Sequence, residues 1–300
     1  MSSTRQLRTQ MKSLKSLQKI LKALEIVSTI KLQKLKKKTE SLREFFIDFL
    51  NILQAVEGDI NLFDFDKESR DENGRRLVIM VSTDKWLCGP ITSKLTKHIA
   101  TKYESIKDKV DVFVVGKKWL EFFVRDNWNI VGSLQLKDDF SENELLPLFT
   151  YIKDSIAQKK YAKIKVYFNF FKNTMTQIPL RFKLFPLDKD SFDMFLQDID
   201  LKLEKIEKPK SDTLLLEPTV QLLKQKLIEE SIKYIAYSAV IQNKTGEHAA
   251  RMIAMKNAKE NSGDIIRSVN IRYNKVRQSK ITQEISEIWN AKAAIEQAQQ

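Results

Sequence analysis

The two ends of the chain carry apolar residues at the spacing of long helices. Residues 5–56 contain two leucine rows with a repeat of seven. The rows are Leu7, Leu14, Leu21 and Leu35, with Ser28 in the remaining place, and Leu17 with Leu24. This repeat is close to the 3.5-residue period of a coiled coil, and no Gly or Pro occurs before Gly58. The pattern predicts one long helix with an apolar seam.

The second long pattern begins near Asp212 and continues almost to Gln300. Its apolar residues follow steps of three and four: Ile266, Val269, Tyr273 and Val276, then Ile281, Ile285 and Ile288. A helix of this length has no core of its own and needs a partner. We therefore expect the two terminal helices to pair antiparallel with a left-handed twist.

The middle of the chain alternates between short apolar runs and helical patterns. The predicted strands are 77–82, 110–115, 129–131, 163–171 and 176–185, and the predicted helices are 91–106, 117–125 and 141–160. The third helix begins at a capping box, Ser141 with Glu144. Only four residues separate the last two strands, which indicates an antiparallel hairpin. This order of elements predicts an α/β domain.

These patterns predict five segments. They are a coiled-coil helix at 1–56, a polar loop at 57–76, an α/β domain at 77–187, a linker at 188–212 and a long coiled-coil helix at 213–300. The fold class is therefore α/β plus long helices, with the α/β domain inserted between the two partners of an antiparallel coiled coil.

The positive charge is concentrated at the two ends. The net charge is +13; residues 5–40 hold 11 Lys and Arg against 2 Glu, whereas 41–212 hold 28 of each sign. A basic helix fits a solvated coiled-coil face, a nucleic-acid binder, a membrane-surface helix or a mitochondrial presequence. Against nucleic acid, residues 5–40 contain no aromatic residue for base stacking. Against the membrane surface, no Trp or Phe precedes Phe45.

The residues that usually carry chemistry are scarce. With one Cys and two His, a disulfide within the chain and a standard zinc site are both excluded. No glycine-rich phosphate loop and no nucleophile motif occurs, so we expect no catalytic, cofactor or metal site. We interpret Asp138 and Asp139 as a solvated acidic pair and Cys88 as a small buried side chain.

Three segments together resemble the gamma subunit of rotary ATP synthases. They are KILKALEIVS at 19–28 followed by Lys31-Leu32, STDKWLCG at 82–89, and EHAARMIAM at 247–255 with NKVRQSKITQEISEI at 274–288. Family members carry similar "KITKAMxMVA", "SDRGLCG" and "ARMxAM … RQxxITxEL" sequences. Leu21, Leu24, Lys85 and Trp86 depart from the family pattern.

The resemblance implies a rotor shaft without a nucleotide site. Its coil would stand inside a ring of three alpha and three beta subunits, with a Rossmann-like α/β domain and the foot of the coil on a membrane ring of c subunits, beside delta and epsilon. It implies no cofactor, no nucleic acid, and membrane contact only through the c-ring.

The resemblance also implies contacts to the alpha/beta ring. Six residues match the family positions: Arg277, Gln278, Thr282, Glu284, Lys19 and Lys22. Arg277 and Gln278 would hydrogen-bond a loop of the ring, and Lys19 and Lys22 would face acidic loops. The alternative is that these residues only form ion pairs within the coil.

Two other functions remain open on the residues alone. One is a basic coiled-coil protein that binds nucleic acid or serves as a scaffold, and the other is a small-molecule enzyme built on residues 77–187. The basic, Ser-containing N-terminus favours the matrix side of the mitochondrial inner membrane as the location.

Overall fold

A computed structural model describes residues 4–57, 74–186 and 219–298. Two long helices, α1 (Thr4–Glu57) and α5 (Val220–Ala298), flank the other elements in the sequence. Between them lie five strands and three shorter helices: β1 (Arg76–Val81), α2 (Ile91–Tyr103), β2 (Val110–Val115), α3 (Leu120–Arg125), β3 (Asn129–Leu134), α4 (Leu146–Ala157), β4 (Lys163–Phe171) and β5 (Gln177–Phe185).

The five strands form one sheet in the order β3-β2-β1-β4-β5. Strands β1 to β4 are parallel, and β5 pairs antiparallel with β4 at the edge. Helices connect the parallel strands and cover both faces of the sheet, so β1 and β2 are buried along their whole length except for Arg76 at the start of β1. The resulting mixed sheet is the Rossmann-like domain that the sequence predicts.

Each face of the sheet builds its own core. On one face, alternate residues of β1, β2 and β4 pack against α2 and α3, with Val78, Leu95 and Tyr103 almost fully buried. On the other face, the intervening residues pack against α4 and the first part of α5, for example Ile79, Val166 and Ile235. This alternation follows from the two-residue period of a strand.

The chain divides into two compact units, residues 28–251 and residues 1–27 with 252–300. In the first unit, the hydroxyls of Thr39 and Thr245 lie 3.1 Å apart. Farther along α1, the carbonyl of Leu42 accepts a hydrogen bond from Tyr234, which precedes Thr245. The two helices therefore run antiparallel.

In the second unit, α1 and α5 make an ion pair and a hydrogen bond from a side chain to the backbone. The Lys259 Nζ lies 2.6 Å from Glu25 Oε2, and the Gln18 side-chain amide donates to the Lys259 carbonyl at 3.5 Å. Leu7 and Val269 are buried, which agrees with the predicted seams. Leu17, placed in the seam by its spacing, is 46% exposed, so that prediction is wrong.

Most predicted elements match the structure within a few residues. The strands at 110–115 and 163–171 have the predicted bounds, and the capping box at Ser141 forms. Helix α2 ends earlier than predicted because residues 104–109 adopt a 3-10 helix. The predicted linker and most of the predicted polar loop lie outside the described residues.

Candidate interaction sites

The distal part of α5 offers an apolar surface that no described residue of this chain covers. Every residue from 277 to 292 is exposed. The predicted apolar steps continue here, yet Ile285 is 52%, Ile288 68% and Trp289 71% exposed. Contiguous exposed apolar side chains of this kind mark an interaction site.

The family-matched residues of α5 lie on this exposed segment. The Thr282 hydroxyl donates to the carbonyl of Gln278 at 3.0 Å, a bond within the helix. Glu284 lies 3.5 Å from the Nζ of Lys280, one turn earlier. Such an exposed pair contributes little to stability, so Glu284 can exchange it for a partner cation. Arg277 and Gln278 present exposed side chains.

Lys19 and Lys22 are exposed on α1. Ile20 and Ile26, which lie close to them in sequence, are 55% and 49% exposed. This part of α1 therefore combines cationic and apolar side chains on its solvent side. Its contacts with the alpha/beta ring, like those of α5, stay a prediction.

A buried cluster of charged residues forms around Asp138 in the unit of residues 28–251. The Asp138 carboxylate is only 11% exposed and pairs with Lys31. It also lies 3.2 Å from the Nζ of Lys85 and 3.4 Å from the Nε2 of His248. The nearby His248 ring, followed by the hydrogen bond from Lys31, holds the pKa of Asp138 well below its usual range although burial opposes the shift.

A second acid, Asp84, is linked to the same cluster through Lys244. Lys244 is 3% exposed and pairs with Asp84, which is 8% exposed. The Lys244 ammonium also donates to the carbonyl of Leu136 at 3.0 Å. A lysine buried this deeply requires such partners because an unpaired buried charge is costly.

Arg251 ties α5 to the backbone of the loop that follows β1. Its guanidinium lies 2.5 Å from Glu247 Oε1 and donates to the carbonyls of Lys85 and Trp86 at 3.4 Å. These bonds hold the loop at Lys85 and Trp86. The loop then turns back through Leu87 and Gly89, which both have positive φ.

The fixed loop carries two large apolar side chains into solvent. Trp86 is 63% and Leu87 60% exposed. The ammonium of Lys118 lies 4.5 Å from the centre of the Trp86 ring, which adds a cation–π contact. Cys88, by contrast, is buried as predicted, and burial raises the pKa of its thiol.

The cluster brings together the three segments that carry the family resemblance. Lys31 comes from the first, Asp84 and Lys85 from the second, and Glu247 and Arg251 from the third. The interpretation of Asp138 as a solvated acid is therefore wrong: only Asp139 is exposed. The sequence did contain an indication of this cluster, because each of the three segments that resemble the family includes charged residues.

The cluster has the composition of a structural ion network. Within the described parts of the chain, no group of three or more Cys, His, Asp or Glu side chains is placed to bind a metal ion.

None of the helices, over the residues that the structure covers, is long and apolar enough to cross a membrane.

Comparison with known proteins gives one consistent family. A family model described as ATP synthase matches residues 3–295. The ATP synthase gamma chain of Buchnera aphidicola is 34% identical, with 98% of this chain and 99% of the relative aligned. The gamma chain of Legionella pneumophila strain Corby is also 34% identical, over 73% of each chain.

Solved structures show the same fold. A chain from the mitochondrial ATP synthase of Euglena gracilis, in the OSCP/F1/c-ring assembly, aligns with a TM-score of 0.66 and 18% identity over 99% of this chain and 96% of that one. A chain from the central stalk and c-ring of the Tetrahymena thermophila mitochondrial enzyme gives 0.58 and 19%, over 80% and 99%. The chain belongs to the ATP synthase gamma-chain family.

Proposed function

We propose that this chain is the central rotor shaft of a proton-driven ATP synthase. It couples the rotation of a membrane c-ring to the conformational cycle of the catalytic beta subunits and carries no catalytic residue itself. Its partners are three alpha and three beta subunits around the coil, delta and epsilon beside it, and the c-ring at the membrane.

The observation that carries this proposal is the fully exposed distal segment of α5. Its isoleucines and Trp289 continue a seam that the described part of α1 does not cover. Burial of apolar surface is worth about 25 cal/mol per Å², so this segment gains stability by entering an apolar ring of other subunits. A shaft inside a ring meets that requirement.

Coupling requires that the shaft treat the three beta subunits differently. Arg277 and Glu284 lie seven residues apart, and Lys280 lies between them on the same side of the helix. A single charged stripe can contact only one beta subunit at a time. It thereby stabilises one conformation of that subunit, and rotation passes this bias to the next.

The first test is co-purification. The full chain, expressed with alpha and beta subunits, should elute as one complex that hydrolyses ATP, whereas the chain alone should have no ATPase activity. A stable monomer that hydrolyses ATP by itself would overturn the proposal.

The second test separates contact with the ring from pairing within the coil. Arg277→Ala should lower the ATPase rate of the assembled complex without reducing assembly. The matched control is Arg272→Ala, another exposed arginine of α5 on a different side of the helix. Equal turnover in Arg277→Ala and wild type would mean that Arg277 does not contact the ring.

The mitochondrial inner membrane stays a prediction from the basic N-terminus. The two curated relatives described above are bacterial, so a bacterial plasma membrane fits the chain as well. Cell fractionation with antibody detection distinguishes the two locations. The alternative of a nucleic-acid-binding coiled coil gains no support from any of these relatives.

A further inference from the structure

The α/β domain is far more basic than its surrounding sequence suggests. Residues 74–186 hold 20 Lys and Arg against 11 Asp and Glu, a net charge of +9. The acids that neutralise the stretch 41–212 lie mostly in residues 57–73 and 187–212. The sheet domain therefore has an excess of cations, which the charge count over the whole stretch 41–212 conceals.

Several of these cations lie together on one face of the sheet. Arg76 of β1 is directly opposite Lys163 of β4, and Lys165 of β4 is directly opposite Lys183 of β5. All four alternate with the residues of the α4 and α5 core, and they share a face with Val78. Like charges directly opposite each other on neighbouring strands repel, so this arrangement costs stability.

The surroundings of Lys165 show how closely the cations approach. Burial lowers the pKa of Lys165, and the nearby charges of Lys163, Arg76 and Lys183 lower it further. In the part of the chain that the structure describes, neither Lys163 nor Lys165 forms a salt bridge. Arg75, one residue before the cluster, differs from these two lysines because it pairs with the carboxylate of Asp111.

The cluster lies at one end of the sheet. Arg76 and Lys163 are the first residues of their strands, so the cluster occupies the amino-terminal edge of the parallel sheet. All four side chains are partly exposed and reachable from solvent. Two hydroxyls on the same face, those of Tyr103 and Tyr167, are 2.9 Å apart and buried.

From this arrangement we propose that Arg76, Lys163, Lys165 and Lys183 form a binding site for anions with closely spaced phosphate groups. The bound anion supplies negative charge to Lys163 and Lys165, which form no salt bridge within the described part of the chain, and it relieves the repulsion among the cations. Either a soluble polyphosphate or the phosphate head groups of an anionic phospholipid provides this chemistry. The site is distinct from the surfaces assigned to the alpha/beta ring and does not depend on rotation.

The experiment uses the full chain and two probes. Inorganic pyrophosphate is titrated by calorimetry, and vesicles of phosphatidylcholine, with or without phosphatidylglycerol, are tested by co-sedimentation. The test variant is the double substitution Lys163→Gln and Lys165→Gln. The control is Lys94→Gln with Lys117→Gln, which removes the same charge from the opposite, carboxyl-terminal edge of the sheet.

We expect wild type and control to bind alike and the test variant to bind roughly thirtyfold more weakly, from about 1 kcal/mol for each lysine. Binding of pyrophosphate alone indicates a soluble polyphosphate, and binding of the phosphatidylglycerol vesicles alone indicates a phospholipid. Either result, or binding of both probes, supports the site. If wild type binds neither probe, or if the control loses as much affinity as the test variant, the proposal is wrong.

A stability measurement guards against a variant that fails to fold. Because removal of Lys165 relieves repulsion, Lys165→Met should unfold at a higher temperature than wild type without pyrophosphate. Pyrophosphate should raise the unfolding temperature of wild type, and it should raise the unfolding temperature of Lys165→Met by a smaller amount. A lower midpoint for Lys165→Met without the anion would contradict the repulsion on which the site rests.

Discussion

Asp138 and Asp139 are adjacent acids with opposite environments, and this makes them a matched pair for testing the ionic cluster. Asp138 is 11% exposed and contacts Lys31, Lys85 and His248, whereas Asp139 is exposed. We expect Asp138→Asn to lower the free energy of unfolding and Asp139→Asn to leave it almost unchanged.

The magnitude follows from the exposure of each partner. The pair with Lys85, whose side chain is 61% exposed, contributes at most about 1 kcal/mol. The hydrogen bond from the better-buried Lys31 joins two charged groups and contributes about 1.5–3 kcal/mol. Lys244 keeps its pair with Asp84, so it adds little to the loss. The sum predicts a loss of about 3 kcal/mol at neutral pH.

The loss should also depend on pH with a definite sign. The folded-state pKa of Asp138 is depressed, so its contribution is present above the unfolded pKa of about 3.9. That contribution disappears as the pH falls through the lower folded-state pKa. The difference between wild type and Asp138→Asn should therefore be largest near neutral pH and shrink below about pH 4.

The assay is urea denaturation of the full chain, followed by circular dichroism across this pH range. A loss below about 1 kcal/mol at pH 7, or an equal loss in Asp139→Asn, would refute the assigned contacts. A loss that grows on acidification would refute the sign of the pKa shift.

Three further predictions concern single sites. Gly116→Ala should lower the free energy of unfolding by about 3 kcal/mol, because the φ of Gly116 is +108° and a Cβ there would lie 2.5 Å from a serine hydroxyl. Gly89 has open space around it, so Gly89→Ala should lower the free energy of unfolding by about 1 kcal/mol. Thermal unfolding of the two variants provides the comparison. Lys259→Met removes the ion pair with Glu25 and should lower the free energy of unfolding by about 1 kcal/mol. In urea titrations, high salt should reduce this difference between wild type and variant. Cys88 should react with a disulfide reagent far more slowly in the native chain than in urea, since burial raises its pKa; equal rates would contradict its buried position.

Local patterns in the sequence are sufficient to predict the elements of the fold. The run VDVFVV predicts the observed bounds of β2, because a strand buried on both faces is almost entirely apolar; its one acid, Asp111, is buried and pairs with Arg75. The short connection between β4 and β5 correctly predicts their antiparallel pairing. In each case the determining residues are close together in the sequence.

The sites depend instead on residues that are far apart. The partners of Asp138 include Lys31 and His248, each more than 100 positions away, and no periodicity in the sequence connects them. The basic face has the same origin, since strand order places Arg76 beside Lys163. Leu17 shows the converse error: its spacing fits a seam, but its exposure depends on how the partner helix passes it.

The long interval between the pairing partners of the coil also has a consequence for synthesis. Thr39 meets Thr245, and 206 positions separate them. At about 5–20 residues per second, the ribosome takes on the order of 10–40 seconds to make that stretch. During this time α1 has emerged with an exposed apolar seam, and the sheet, whose strands are complete by residue 186, still lacks the α5 residues that cover one of its faces. The nascent N-terminal helix therefore needs protection from aggregation until the last third of the chain is made.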